Sequence, residues 1–246
     1  MYEMYENKLF GYGKHSHFQY FSSTDTNPAF LQRLLKENED WYYRNNEITY
    51  KRNKNGHRTN LQISDLKTPY FLTTGCSFTE GIGINYEHTY SYLLSQSLGL
   101  ENYNIGLSAS GWDLLCQNLD IFLKLDIPKP KFIILQWPGF YRYYRSYQNI
   151  ISCVVANSQN VDLEFLLSED FKIHQIKIRK DLLDCLNSFK IGYLEYTVEI
   201  PMLDIIKQFK KLPIIDKGRD NHPGIKTNKY WSWLIKEDLK NNNFIY

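Results

Sequence analysis

Tyr70–Ile84 reads YFLTTGCSFTEGIGI. Tyr70–Thr74 is an apolar and β-branched run between Pro69 and Gly75, the pattern of a buried strand. Gly75-Cys76-Ser77 breaks that run, and Gly75, Gly81 and Gly83 leave the backbone free to turn sharply. Beyond them, Tyr90, Leu93, Leu94 and Leu98 fall at helical spacing within Glu87–Leu98. A strand that stops at a small hydroxyl residue before a helix exposes the Oγ at the carboxyl edge of a sheet. It also places helix-leading N–H groups beside any oxyanion formed there. Ser77 is therefore a candidate nucleophile. Ser77 and Thr79 also suit plain turn and cap roles, and only the rest of the chain separates the two readings. The glycines form no GxGxxG and no Gly-Lys-Ser/Thr follows them, which argues against a nucleotide-phosphate loop.

The chain is long enough, at 246 residues, to bury a full core, and 43% hydrophobic against 23% charged residues is a globular balance. A net charge of +2 is too small to draw the chain to nucleic acid or an anionic membrane. Aromatics reach 16%, with 20 Tyr, which suits either a sugar- or base-stacking surface or a tyrosine-rich core. Cys76, Cys116, Cys153 and Cys185 lie far apart without CxxC or zinc-type Cys/His spacing. They read as reduced thiols, and the polar N-terminus shows no export leader, so a cytoplasmic location is expected. No apolar run approaches the ~18 residues of a membrane span.

Residues 1–68 read as an N-terminal extension packing on a main domain of residues 69–246. Within the extension, Ala29–Leu35 follows the Asn27-Pro28 cap signal as a short helix. Glu47–Thr59 carries Asn55-Gly56 between alternating stretches, a hairpin signal. His15 and His17 read as part of an exposed tail. From Pro69, strands and helices alternate: strand 70–74, helix 87–98, strand 102–105, helix 112–125, strand 131–137, helix 171–189, strand 193–198, helix 202–209, a short strand or loop at 213–215, and helix 228–239. Residues 138–149 are less regular, aromatic and basic, and an insertion follows to about 170. Repeated alternation with short connections predicts an α/β fold, an open parallel sheet covered on both faces.

The second chemical element is IIDKGRDNHPGIK near the C-terminus. His222 precedes a Pro-Gly break just after an expected strand end, with Asp220 two residues before it and Asp216 six. Acyl transfer needs a base to take the hydroxyl proton and an acid to fix the imidazole tautomer. Strand ends of a parallel sheet converge on one edge, which would bring Ser77 to the Asp-x-His unit.

TGCSFTEG resembles the first block of the SGNH/GDSL hydrolases, NIGLSASG the second and DNHP the last. The resemblance runs through residues 47–240 in order and spacing. It implies a flavodoxin-like three-layer α/β/α sandwich and cofactor-free, metal-free hydrolysis of esters or acyl groups, often on glycans or lipids. It assigns Ser77 as nucleophile and first oxyanion donor, His222 as base and Asp220 as its acid, with Asp216 in reserve. The second oxyanion donor is Ala109 by count from Asn104 and Gly111 by the Ser-Gly pattern.

This sequence departs from the family pattern at three places. Cys76 replaces the usual Asp before the serine, leaving a cysteine nucleophile as an alternative. Arg219 stands three residues before His222, where the acid usually lies. No Asn follows KFIILQW, where the family carries a side-chain oxyanion donor; Gln136 and Arg142 are the substitutes to hand. A serine esterase or deacylase is therefore expected, its substrate against Tyr141, Arg142 and Trp112. A binding module without turnover and an acyltransferase with the same triad are the alternatives.

Overall fold

The computed structural model describes residues 2–5, 9–12, 17–18, 27–140, 142–147, 150–155, 168–198, 209–220 and 222–245. Its centre is a five-stranded parallel sheet of β5 (Tyr70–Thr74), β6 (Glu101–Asn104), β7 (Phe132–Trp137), β10 (Gly192–Thr197) and β11 (Lys210–Lys211), in the order β11-β10-β7-β5-β6. The expected α/β fold is present. The chain passes from β5 to β6 on one side and then crosses to β7 on the other side of β5, so the order reverses at β5/β7. In open α/β sheets such a switch point opens a crevice at the carboxyl ends of the strands.

Side-chain alternation along β7 builds the three layers. Ile133, Leu135 and Trp137 face one core with Tyr70 and Leu72, covered by α4 (Trp112–Lys124) and α5 (Glu169–Ser188). Phe132 and Ile134 face the other with Phe71, covered by α3 (Tyr90–Leu98) and α6 (Ile225–Asn241). Each large side chain fully buried this way contributes about 1.5–3 kcal/mol. Helix ends follow local chemistry: the Thr89 side chain accepts from Tyr92 N to start α3, and Ser168 accepts from Phe171 N to start α5. Thr89 ends a separate 3-10 turn at Tyr86–His88, so the helix expected from 87 begins three residues later.

The N-terminal region departs more from expectation. Helix α1 spans Asn27–Leu34, starting two residues before and ending one before the expected Ala29–Leu35. The Asn-Gly turn forms, with Gly56 at φ 74° and Asn53 N donating to His57 O at 2.8 Å, but no hairpin ladder follows. Instead β4 (Tyr50–Lys51) pairs antiparallel with β3 (His17–Phe18), which puts His17 in a strand. The reason is burial: Arg58 and His57 pack inward and cannot serve as a solvent-facing return strand. Tyr43, Ile48 and Tyr50 form a small core with Ile82 and Ile84, so this region sits directly on the loop that follows Ser77.

Two further antiparallel pairs occur: β1 (Tyr2–Tyr5) with β2 (Leu9–Tyr12), and β8 (Arg142–Tyr147) with β9 (Ile150–Val155), the latter inside the segment read as irregular. Pro213–Ile215 is irregular chain, the short strand lying just before it at β11. Of the helix expected at 202–209, residues 202–208 lie outside the described residues, as do His15 and Tyr141.

Candidate active site

Ser77 opens α2, a single turn over Ser77–Glu80, directly beyond β5. Cys76 is extended at φ −93°, and its carbonyl accepts from Thr79 N and Glu80 N at 3.0 and 2.9 Å. Gly81, left-handed at φ 83°, ends the turn by returning its N–H to Ser77 O at 2.9 Å. The serine is thus held at the top of the sheet, 5% exposed, at the leading end of a helical turn.

His222 comes to it from the loop before α6. Its Nε2 lies 2.9 Å from Ser77 Oγ, and its Nδ1 2.6 Å from Asp220 Oδ2. Asp220 Oδ1 also accepts the backbone N–H of His222 at 2.8 Å. The Asp-x-His spacing is explained by this grip: one carboxylate clasps backbone and ring of the same histidine. With Asp220 accepting at Nδ1, the proton sits there and Nε2 is left to accept the Ser77 hydroxyl. The clasp is supported from outside, since Arg33 Nε donates to Asp220 O at 3.0 Å and Phe78 meets the imidazole edge-on at 5.3 Å. Asp216 is occupied elsewhere. Its carboxylate accepts Thr227 N at 2.7 Å and Lys226 N at 3.0 Å, capping α6, so the reserve acid is set aside.

The second block forms a turn, Leu107–Ser110, closed by Ser110 N donating to Leu107 O at 3.1 Å. Leu107 N and Ser110 Oγ both donate to Gly75 O at 3.0 Å, tying the turn to the end of β5 two residues before Ser77. Ala109 is left-handed at φ 62°, a conformation that costs a residue with a Cβ about 1–2 kcal/mol. Gly111 is the N-cap of α4, and its N–H has no acceptor among the described residues. A Cβ there would meet Arg142 O at 2.6 Å, so the position requires glycine.

The other sequence-based candidates fare unevenly. Gln136 belongs to the Phe132/Ile134 face of β7; it is fully buried, with Oε1 on Thr79 Oγ1 at 2.5 Å, and its Nε2 has no partner. It supports α2 from below and is not brought to the site. Arg142 sets its main-chain carbonyl against Gly111. Trp112 is 1% exposed, donates from Nε1 to Pro138 O at 2.9 Å and packs on Trp137 and Phe140, which removes it as a substrate surface. Cys76 is 2% exposed and turned into the core.

Sequence reasoning missed the charged residues beneath the site. Glu80, 1% exposed, accepts Arg52 Nη2 at 2.5 Å on Oε1 and both Ser108 N and Ser108 Oγ, at 2.8 and 2.6 Å, on Oε2. Arg58, also 1% exposed, donates to Gly81 O and, at 2.7 Å, to Ile84 O, with its guanidinium 4.5 Å from the Tyr50 ring centroid. Tyr50 OH accepts Gly83 N at 2.9 Å. Burial pushes the Glu80 carboxyl up, but Arg52, Ser108 and Arg58 together outweigh it and hold the group below its ordinary value of 4.5.

Because the folded-state value is depressed, Glu80 adds stability above the unfolded carboxylate range and loses it as pH falls through the depressed value. Thermal midpoints should therefore drop on acidification below about pH 4.5, and Glu80→Gln should flatten that dependence while lowering stability at neutral pH. Thermal melts of both proteins across pH 3–7 check this. Among the described residues, no group of His, Cys, Asp and Glu is arranged to hold a metal ion.

No family model and no curated protein matches the sequence. Among solved structures, an acetyl xylan esterase (Est2A) from the rumen bacterium Butyrivibrio proteoclasticus is similar at a TM-score of 0.52 and 11% identity, over 74% of this chain and 66% of that one. A family two carbohydrate esterase from Clostridium thermocellum, solved in complex with cellohexaose, is similar at a TM-score of 0.50 and 12% identity, over 72% of this chain and 66% of that one. The chain thus spans just under two thirds of each of those chains. Likeness at such identity speaks to architecture alone, and with the parallel five-stranded sheet it gives the chain the fold of the SGNH hydrolases.

Proposed function

We propose that the protein is a serine ester hydrolase or deacylase that works through Ser77, His222 and Asp220 and a covalent acyl-enzyme. The observation that carries this is the unbroken relay from Ser77 Oγ to His222 Nε2 at 2.9 Å and from Nδ1 to Asp220 Oδ2 at 2.6 Å. His222 takes the hydroxyl proton as Ser77 attacks the acyl carbon, and Asp220 stabilises the imidazolium that results. The Ser77 N–H and a second-block amide, Gly111 or Ala109, receive the oxyanion. Collapse expels the alcohol with the proton from His222; water then repeats the sequence on the acyl-enzyme. No cofactor is needed.

Residues 69–246 would form the hydrolase domain, with 1–68 as an extension bracing it through Tyr50 and Arg58. Acylated carbohydrates are the first substrates to test, because both fold relatives are carbohydrate esterases by name. Among the described residues, no helix is long and apolar enough to cross a membrane.

One observation favours a second reading, a glycan- or protein-binding module without turnover. Pro138 and Gly139 follow β7 where the family carries an Asn, Gln136 faces away, and losing one such donor typically costs about 10²–10³ in rate. Labelling with a fluorophosphonate probe separates the two. Wild type should label, and Ser77→Ala and His222→Ala should not; folded wild type that stays unlabelled, yet binds glycan saturably, establishes the binding module. Transfer of the acyl group to an added alcohol in preference to water would make the enzyme an acyltransferase.

A further inference from the structure

We propose that Glu80 is a positioning residue for the oxyanion-binding turn, fixing Ser108 and through it the Ala109 and Gly111 amides against the start of α2. The inference rests on the serine-hydrolase reading above and extends it to a residue that would touch no substrate.

One buried carboxylate joins three separate parts of the chain. Glu80 stands on the same helical turn as Ser77, three residues on. Its Oε2 holds the N–H and the hydroxyl of Ser108 at 2.8 and 2.6 Å, while Oε1 is anchored by Arg52 of the N-terminal extension. Both Ser108 bonds are charge-assisted, which makes them stronger than neutral ones, and the carboxylate that accepts them is 1% exposed.

The turn needs that hold. Ser108 immediately precedes Ala109, whose φ of 62° is left-handed. An alanine there favours relaxing toward ordinary φ, which would swing the amide planes on either side of it. Leu107 and Ser110, the first and last residues of the turn, are both tied to Gly75 O. With Glu80 gripping Ser108 inside the turn, the Ala109 amide and the Gly111 amide just beyond it are registered on β5 and α2, the elements that carry the nucleophile. Only a carboxylate fits: both its oxygens accept, and the amide of a Gln would turn a donor toward either Arg52 or Ser108.

The test compares the rate of fluorophosphonate labelling in wild type, Glu80→Gln, Ser108→Ala and Tyr196→Phe, with amide hydrogen exchange of residues 108–111 in each. Tyr196→Phe is the stability control, removing a 2.8 Å bond from the Tyr196 hydroxyl to Asp238 outside the site. Glu80→Gln should slow labelling at saturating probe by about 10²-fold, the scale of a lost oxyanion donor, with little change in the probe's half-saturation and with faster exchange at 108–111. Ser108→Ala keeps the N–H bond and should slow labelling less. Tyr196→Phe should lower the thermal midpoint without either effect. Labelling of Glu80→Gln within threefold of wild type, or slowed labelling with unchanged exchange, overturns the proposal. If wild type itself does not label, the hydrolase reading fails separately, and exchange at 108–111 alone decides whether Glu80 fixes the turn.

Discussion

Asp220→Asn should lower turnover by about 10⁴-fold while leaving the protein folded, the scale seen when a triad acid is made neutral without changing its shape. The local geometry makes the reason specific. Asp220 Oδ1 already accepts the His222 backbone N–H at 2.8 Å, so the oxygen of an asparagine would keep that place. Its NH2 would then fall at the position of Oδ2, 2.6 Å from His222 Nδ1, and donate to the ring. That forces the imidazole proton onto Nε2, where it faces the Ser77 hydroxyl and cannot accept from it. The variant should crystallise with an unchanged loop and label with fluorophosphonate at a rate near that of His222→Ala. Labelling at the wild-type rate would mean that something other than Asp220 orients the ring.

Gly83→Ala should damage stability and activity together. Gly83 is left-handed at φ 83°, and a Cβ on it would stand 2.5 Å from Asp220 Oδ1 and 3.3 Å from His222 Cβ. The backbone conformation alone costs about 1–2 kcal/mol for alanine, and at roughly 2–4 °C per kcal/mol the midpoint should fall by several degrees. Relieving the overlap means moving the Asp220 carboxylate, and a displacement near 1 Å in such a site costs about 10² in rate. Gly99→Ala is the control: Gly99 is also left-handed, at φ 62°, but has open space where the Cβ would go. It should lower stability without lowering kcat. If both variants lose activity in proportion to stability alone, the Gly83 contact has no catalytic meaning.

The parts of this protein that could be read from sequence are those whose causes are local. An apolar run cut by Gly-Cys-Ser, and Asp-x-His before Pro-Gly, mark a strand end and a loop within a few residues, and the structure brings Ser77, Asp220 and His222 together. Two misplaced residues were also legible in principle. Gln136 shares the period-two face of Phe132 and Ile134, so β7 could only turn it inward. Trp112 heads the helical series Leu115, Cys116, Leu119 and Phe122, the buried stripe of α4. The N-terminal region is different. Nothing near Tyr50 announces pairing with Phe18, and Arg58 and Glu80 look like surface charges until distant carbonyls and Arg52 surround them. Their meaning lies in partners that no local window contains.

The hydroxyl and the imidazole that meet at the crevice are separated by 145 positions along the chain. Between them the polypeptide must complete β6, β7 and β10 before α6 can dock beside α3 and deliver His222. Contacts of such long sequence separation form late, because the loop-closure entropy is spent before the contact rewards it. On refolding, helical signal should therefore return ahead of reactivity toward fluorophosphonate. On the ribosome, the protein would remain chemically silent until α6 has emerged.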